Sequence, residues 1–284
     1  MASLLGLAAA LGWGLTDFLA RFAGERLGVS RAMLFGQASA VILLTLWLAA
    51  HPADWRGALD APAGAWVAGL AAAEVNIAAT WSLVRGLTRG SVAVVSPVVA
   101  SYGAVTALLA WASGEPVSGL AWGGIAAIVG GVALMAWPGH PTTRHGTLGR
   151  SLPWAFGSAL GFGAGFWLQG SFAVPALGPL LPVWLYYAAG VPTLVLMLRG
   201  RIGPMPRTAD WPLLAGVGLA GSGAYLAFCA GLQTGAVAVV TVLSSLASGV
   251  AILLAGAFLH ERLAAHQWAG AAGILVGLAL VNAG

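Results

Sequence analysis

Glu74 stands where a carboxylate is hardest to keep. It lies in the middle of the apolar run AWVAGLAAAEVNIAATWSLV, about ten residues from either end. A charged side chain at the centre of a bilayer costs about 2.5–3.5 kcal/mol even on insertion scales, so its presence asks for a reason. On a helix Trp66, Leu70, Glu74, Ile77 and Trp81 share a stripe, which sets an indole about two turns from the carboxylate. A carboxylate buried there would recognise a cation or carry a coupling proton. The alternative is a protonated Glu74 that hydrogen-bonds a neighbouring helix for packing.

Asp17 is the second carboxylate inside an apolar run, and Trp13 precedes it by four residues on the same face. Arg21 follows it by four, an arrangement that also makes an ordinary helix salt bridge. Asn76 and Thr80 share a face distinct from that of Glu74, suited either to substrate contact or to joining helices. Ser101, Tyr102, Trp167, Gln169 (with Gly165) and Tyr225 complete the candidate lining. Aromatic rings with one or two polar groups near the midplane suit apolar or ring-bearing solutes. The competing assignment for tryptophan is the interfacial belt. Trp47, Trp55, Trp111, Trp122, Trp137, Trp154, Trp184, Trp211 and Trp268 all fall near the ends of apolar segments.

Metal and enzyme chemistry are not suggested. His51, His140, His145, His260 and His266 lie at loops or segment ends without zinc spacing, and Cys229 sits alone in an apolar run. No nucleotide-binding loop and no nucleophile–base grouping is found. The expectation is therefore a non-enzyme with no cofactor.

Composition says what must position these residues. The chain is 60% hydrophobic and 7% charged with a mean hydropathy of +0.91, against the about 25% charge of a soluble domain, so lipid is its solvent. Twelve arginines and no lysine give a net charge of +4, a topology signal rather than a nucleic-acid footprint. Segments long enough to span fall at about 3–20, 32–50, 64–84, 91–112, 119–137, 152–172, 180–199, 211–230, 236–258 and 266–282. The first lacks a basic leader and is expected to stay as a helix.

The chain also writes itself twice. Gly86 to Val95, GLTRGSVAVV, matches Gly231 to Val240, GLQTGAVAVV, at seven of ten positions with an offset of 145. At an offset of 146, Glu115, Trp122, Gly124 and Gly131 match Glu261, Trp268, Gly270 and Gly277. LGWG at Leu11 to Gly14 matches LGFG at Leu160 to Gly163. The two copies, 1–139 and 151–284 with a linker at 140–150, each hold five segments. Five is odd, so the second copy enters the membrane from the opposite side. This predicts an all-α integral membrane protein of ten transmembrane helices in two inverted five-helix repeats, an architecture common among secondary transporters. Glu115 and Glu261 recur at helix ends, which favours a structural role in loop hydrogen bonding. Glycines four apart, Gly157/Gly161/Gly165, Gly119/Gly123 and Gly273/Gly277, predict close helix packing, within a monomer rather than across a dimer.

Eleven of the twelve arginines fall in odd-numbered connections and only Arg56 in an even one. Positive-inside logic then puts both termini outside the cytoplasm.

HERLAAHQWAG (His260 to Gly270), its weaker copy GEPVSGLAWGG (Gly114 to Gly124) preceded by Pro97, and Trp13–Gly14 in the first segment carry a family likeness. The chain resembles the EamA domain of the drug/metabolite transporter superfamily over nearly its whole length. The resemblance implies ten helices around a central cavity and export of a small organic solute, such as an amino acid, by alternating access across the bacterial inner membrane. Some relatives import vitamins or other metabolites, and the family habit is cytoplasmic termini. A non-transporting receptor is the remaining alternative. An aromatic-rich, sparsely charged lining favours apolar or aromatic amino acids, with Glu74 as the candidate for proton coupling.

Overall fold

A computed structural model describes residues 1–89, 95, 98–137, 148–250, 253–254 and 265–283. Residues 90–94 of the duplicated block, Pro97, the 140–147 part of the linker with His140 and His145, and His260 to Leu263 with Glu261 lie outside the described residues. The side chain of Arg21 does too. Among the described residues no strand occurs. In lipid a helix satisfies its backbone within itself, so apolar runs of this length have no other stable form.

The longer helices among the described residues are α1 (Ala2–Leu27), α2 (Val29–Ala50), α3 (Ala63–Arg89), α4 (Tyr102–Ala112), α5 (Gly119–Ala136), α6 (Leu148–Leu168), α7 (Leu180–Met197), α8 (Trp211–Leu232), α9 (Val237–Ser244) and α10 (Ala265–Ala283). Ala2–Gly24, Ser30–Ala50, Ala63–Gly86, Leu180–Met197 and Thr208–Leu232 are each long and apolar enough to cross a membrane, and shorter apolar helices accompany them. The chain is thus a multi-pass helical membrane protein. Outward faces carry Leu4, Leu46, Val67, Leu196, Leu219 and Leu275, all well exposed, as a lipid-facing surface requires. α1 turns into α2 at Gly28, whose φ of 80° is open to glycine at little cost. Gly178, at φ 73°, ends the α6 region in the same way.

Helix α6 does not stop cleanly. It widens into a π-helical turn at Gln169–Ala173 before a short helix at Val174–Leu177 that starts around Pro175. The wide turn re-aims one side chain per turn, a feature common at functional sites.

Packing follows glycine. A Cβ added at Gly12 on α1 would sit 2.7 Å from that of Ala224 on α8, and one at Gly161 on α6 would sit 2.9 Å from that of Ala79 on α3. Likewise Gly14 closes on Val250 (2.6 Å) and Gly163 on Val105 (2.5 Å). These are the glycines of LGWG and LGFG. α1 lies along α8 and α9, and α6 along α3 and α4; α2 packs on α7 and α8, α3 on α7, α4 on α9, and α5 on α10. In the last pair Gly277 backs onto the Gly124 carbonyl and Ile128, so the Gly273/Gly277 spacing is used inside the chain. Gly119 and Gly123 instead face open space.

The connections sort to two ends. At one, Arg31 donates to the Pro204 carbonyl, the Arg85 guanidinium lies 4.3 Å over Trp81 and 5.9 Å over Trp154, and His266 Nε2 meets the Trp137 carbonyl at 2.8 Å. At the other, the Ala238 N–H donates to Glu115 at 3.1 Å and Trp167 Nε1 donates to Ser113 at 3.0 Å. The Glu115 contact ties the α4–α5 turn to the start of α9, as a structural role for this residue requires. Burial pushes its carboxyl up, and the Val237 and Ala238 amides pull it back.

Candidate functional site

The middle of the bundle is an aromatic cluster built from α1, α4, α6, α7 and α8. Trp13 stacks on Phe166 with centroids 5.5 Å apart and meets Phe228 at 5.2 Å and Tyr225 at 5.8 Å. Tyr102 packs edge-on against Phe166 (5.3 Å) and Phe162 (5.9 Å), and its hydroxyl shares a hydrogen bond of 3.2 Å with Ser244. Tyr186 adds an edge contact to Tyr225 at 5.2 Å and shares a 3.2 Å hydrogen bond with Thr80. Such edge-to-face pairs fix ring positions beyond what burial alone would do.

Beneath the rings runs a polar thread. Asn76 Nδ2 donates to the Tyr225 hydroxyl at 3.0 Å, the hydroxyl donates to Gln169 Oε1 at 2.5 Å, and Gln169 Nε2 reaches Cys229 at 3.3 Å. Each member is buried, and Gln169 is presented by the first residue of the π-helical turn. Gly165 lies flush against the Asn76 amide, so no side chain fits there. Asn76 Oδ1 is left without a partner among the described residues.

Asp17 completes the inner face of α1. It is exposed, although it shares the face of α1 that carries the buried Gly6, Ala10 and Gly14. Leu4, Leu11 and Leu15 mark the lipid face of this helix. At about 100° per residue Asp17 stands about 200–240° round from them. Its exposure is therefore to space inside the bundle. Trp13 and Phe162 are both half-buried, and each stacks on Phe166, at 5.5 and 5.6 Å.

Matches to the EamA-like transporter family model cover residues 1–137 and 150–283. The chain belongs to the EamA-like transporter family. It is 28% identical over 263 residues to a Synechocystis protein described as an uncharacterized transporter, covering 85% of this chain and 77% of that protein. A solved crystal structure shares the fold with a TM-score of 0.76 over 99% of this chain and 96% of its own, at 17% identity.

Within this EamA-like chain Trp13, Asp17, Asn76, Tyr102, Gln169 and Tyr225 come together at the centre. Ser101 is half-buried beside Tyr102 and donates to its own helix at the Val98 carbonyl (2.6 Å). Three expected members stand elsewhere. Glu74 is exposed on the outer face of α3 in one stripe with Val67, Leu70 and Ala78, and its carboxylate accepts from Thr193 on α7 at 3.2 Å. The expected burial of Glu74 does not hold, because its stripe straddles the boundary: Ile77 turns inward while Leu70 and Glu74 turn out. Trp81 is drawn to one end by Trp154 (5.6 Å) and Arg85. Trp167 goes to the other, against Phe172 (5.4 Å) and Ser113. No ion pair between Asp17 and another side chain occurs among the described residues. Phe162, Phe166, Tyr186 and Phe228 were not anticipated. The LGWG/LGFG match held the signal for two of them, since it makes Phe162 the counterpart of Trp13 and Phe166 that of Asp17.

Proposed function

We propose that this EamA-like protein is a secondary transporter that moves a small organic solute, an amino acid or related metabolite with an apolar or aromatic portion. The reading has it exporting across the bacterial inner membrane by alternating access. What supports it is the inner face of α1 and α6, where Asp17 is exposed and Trp13 and Phe162 are half-buried at the aromatic cluster around Phe166. Rings for an apolar body and one charged group for orientation are what a midplane solute site needs. Counterflow of labelled L-phenylalanine in proteoliposomes tests it. Accelerated uptake into liposomes preloaded with unlabelled solute is expected, and no acceleration with any amino acid or amine would overturn it.

The same reading takes the architecture as ten helices in two inverted five-helix repeats joined at 140–150. Its support is the paired geometry: Gly12 on Ala224 against Gly161 on Ala79, and Gly14 on Val250 against Gly163 on Val105. Shifting each partner by 149 or 145 residues converts one contact into the other. Two repeats that exchange roles give a physical basis for alternating access. Both termini are proposed to face the periplasm, because eleven of the twelve arginines fall in odd-numbered connections of the ten-helix reading. With Cys229 replaced by serine, an impermeant maleimide in intact cells should label Ser3→Cys and spare Arg201→Cys; the reverse would overturn the orientation.

A further inference from the structure

The transporter reading leaves open which part of a solute the inner face recognises. We infer that this face binds the ammonium group of an organic cation, with Asp17 as counter-charge and Trp13, Tyr102 and Phe162 as aromatic walls, so that amines are preferred to the corresponding amino acids. The inference rests on that reading for the solute's size and route, but its chemistry comes from these residues.

Asp17 is exposed, faces inward, and makes no hydrogen bond or ion pair among the described residues. An uncompensated carboxylate inside a membrane protein is costly, so a ligand bearing positive charge gains more here than it would at a surface. No group of three or more histidine, cysteine, aspartate or glutamate side chains is found among the described residues. Calcium and magnesium take six or more oxygen ligands or retain their waters, so an inorganic ion is poorly served. An ammonium is served well, because one carboxylate and the faces of aromatic rings together replace its hydration.

The walls meet that requirement. Trp13 is one helical turn from Asp17 and half-buried, and Phe162 is half-buried on the facing helix. Tyr102 lies 5.9 Å from Phe162 and 5.3 Å from Phe166, the ring on which Trp13 stacks. A zwitterion would bring its own carboxylate towards Asp17, and no ion pair holds a cationic side chain at Asp17 among the described residues to offset that repulsion. The two repeats differ at just this point: the counterpart of Asp17 is Phe166, so one side of the space is charged and the other is aromatic.

The test uses the full chain in lipid nanodiscs and reads binding by calorimetry. Benzyltrimethylammonium is compared with its neutral carbon isostere neopentylbenzene, and 2-phenylethylamine with L-phenylalanine. We expect each cation to bind about tenfold or more tighter than its partner, and Asp17→Asn to erase both preferences while the protein stays monodisperse. Asp17→Glu keeps the charge and should keep the preference in part, which separates recognition from a folding defect. Arg21→Gln should leave cation binding unchanged or tighter. Equal binding of the isosteres, undiminished cation binding by Asp17→Asn, or a loss in Arg21→Gln equal to that in Asp17→Asn would each overturn the assignment. Phenylalanine counterflow without any cation preference sinks this inference and leaves the transporter reading standing; absent counterflow with cation binding intact does the reverse.

Discussion

The inner faces of α1 and α6 are the same surface built twice and finished differently. Both carry a tryptophan or phenylalanine between two glycines, and in both the glycines touch equivalent partners on the neighbouring helices. One turn further on, α1 has Asp17 where α6 has Phe166. The contacts that hold helices together are duplicated, and the inward carboxylate is not. A second break in the symmetry, Glu74 against Leu219, looks similar in sequence but teaches the opposite lesson. Both of those residues are exposed on outer faces, Leu219 at 58%. Loss of symmetry marks a site only where the side chain also points inward.

The duplicated half of this comparison breaks first. Gly14→Leu and Gly163→Leu each force a branched side chain into Val250 or Val105, where even a Cβ lies at 2.6 and 2.5 Å. Helix backbones cannot stay that close around a leucine, and overpacking costs about 1–3 kcal/mol or more. Both variants should lose most of the folded, monodisperse protein on size-exclusion chromatography, and to a similar extent. Gly123→Leu on α5, which faces open space, should behave as wild type. A large difference between the two damaged variants would mean that the repeats do not bear load equally.

The finished half gives a smaller effect. Trp13→Leu removes the ring one turn from Asp17, and Phe162→Leu removes the one opposite. If the charge is at α1, benzyltrimethylammonium should bind about tenfold weaker to Trp13→Leu and only about threefold weaker to Phe162→Leu, within the range of cation–π energies. Equal losses in calorimetry would place the cation midway between the helices.

Smaller again is the cost of cutting the thread below the rings. Tyr225→Phe removes the hydroxyl that accepts a hydrogen bond from Asn76 Nδ2 and donates one to Gln169 Oε1. Interhelical hydrogen bonds in membranes average about 0.6 kcal/mol, so a drop of a few degrees in melting temperature in nanodiscs is expected. Asn76 Oδ1 is already without a partner among the described residues, so part of the network's desolvation cost is present in the native protein. No change in melting would show that Asn76 and Gln169 find each other once the hydroxyl is gone.

Much of this was legible in the chain. The segments 32–50, 119–137 and 180–199 differ from α2, α5 and α7 by a few residues, because segment length and turn residues are read directly. Trp13, Tyr102, Gln169 and Tyr225 were legible as aromatic and polar groups too large or too polar for lipid. The phase of each helix was not. In a chain that is 60% hydrophobic, lipid-facing and core-facing stripes are equally apolar, so periodicity cannot say which side is in. Ala72, Ala73 and Asn76 are the buried face of α3, while the larger Val67 and Leu70 face out. On α3 the inner face is mostly small, with Ile77 as its one large apolar side chain, and the outer face carries the larger Val67 and Leu70.

The smallest expected effect is at Glu74. Its carboxylate is shared with Thr193 across α3 and α7, and its neighbours on the stripe are lipid-facing. No element places it beside Trp13 or Asp17. Glu74→Gln keeps the volume and keeps an oxygen that can accept from Thr193, so binding of benzyltrimethylammonium should stay within about twofold of wild type, against tenfold or more for Asp17→Asn. Counterflow measured from pH 5.5 to 8.5 should give parallel profiles for Glu74→Gln and wild type, because a group outside the solute's space has no proton to exchange for it. A flattened profile in Glu74→Gln with unchanged binding would assign proton coupling to the outer carboxylate after all. The chain would then divide its work, with recognition on the inner face of α1 and coupling on the outer face of α3.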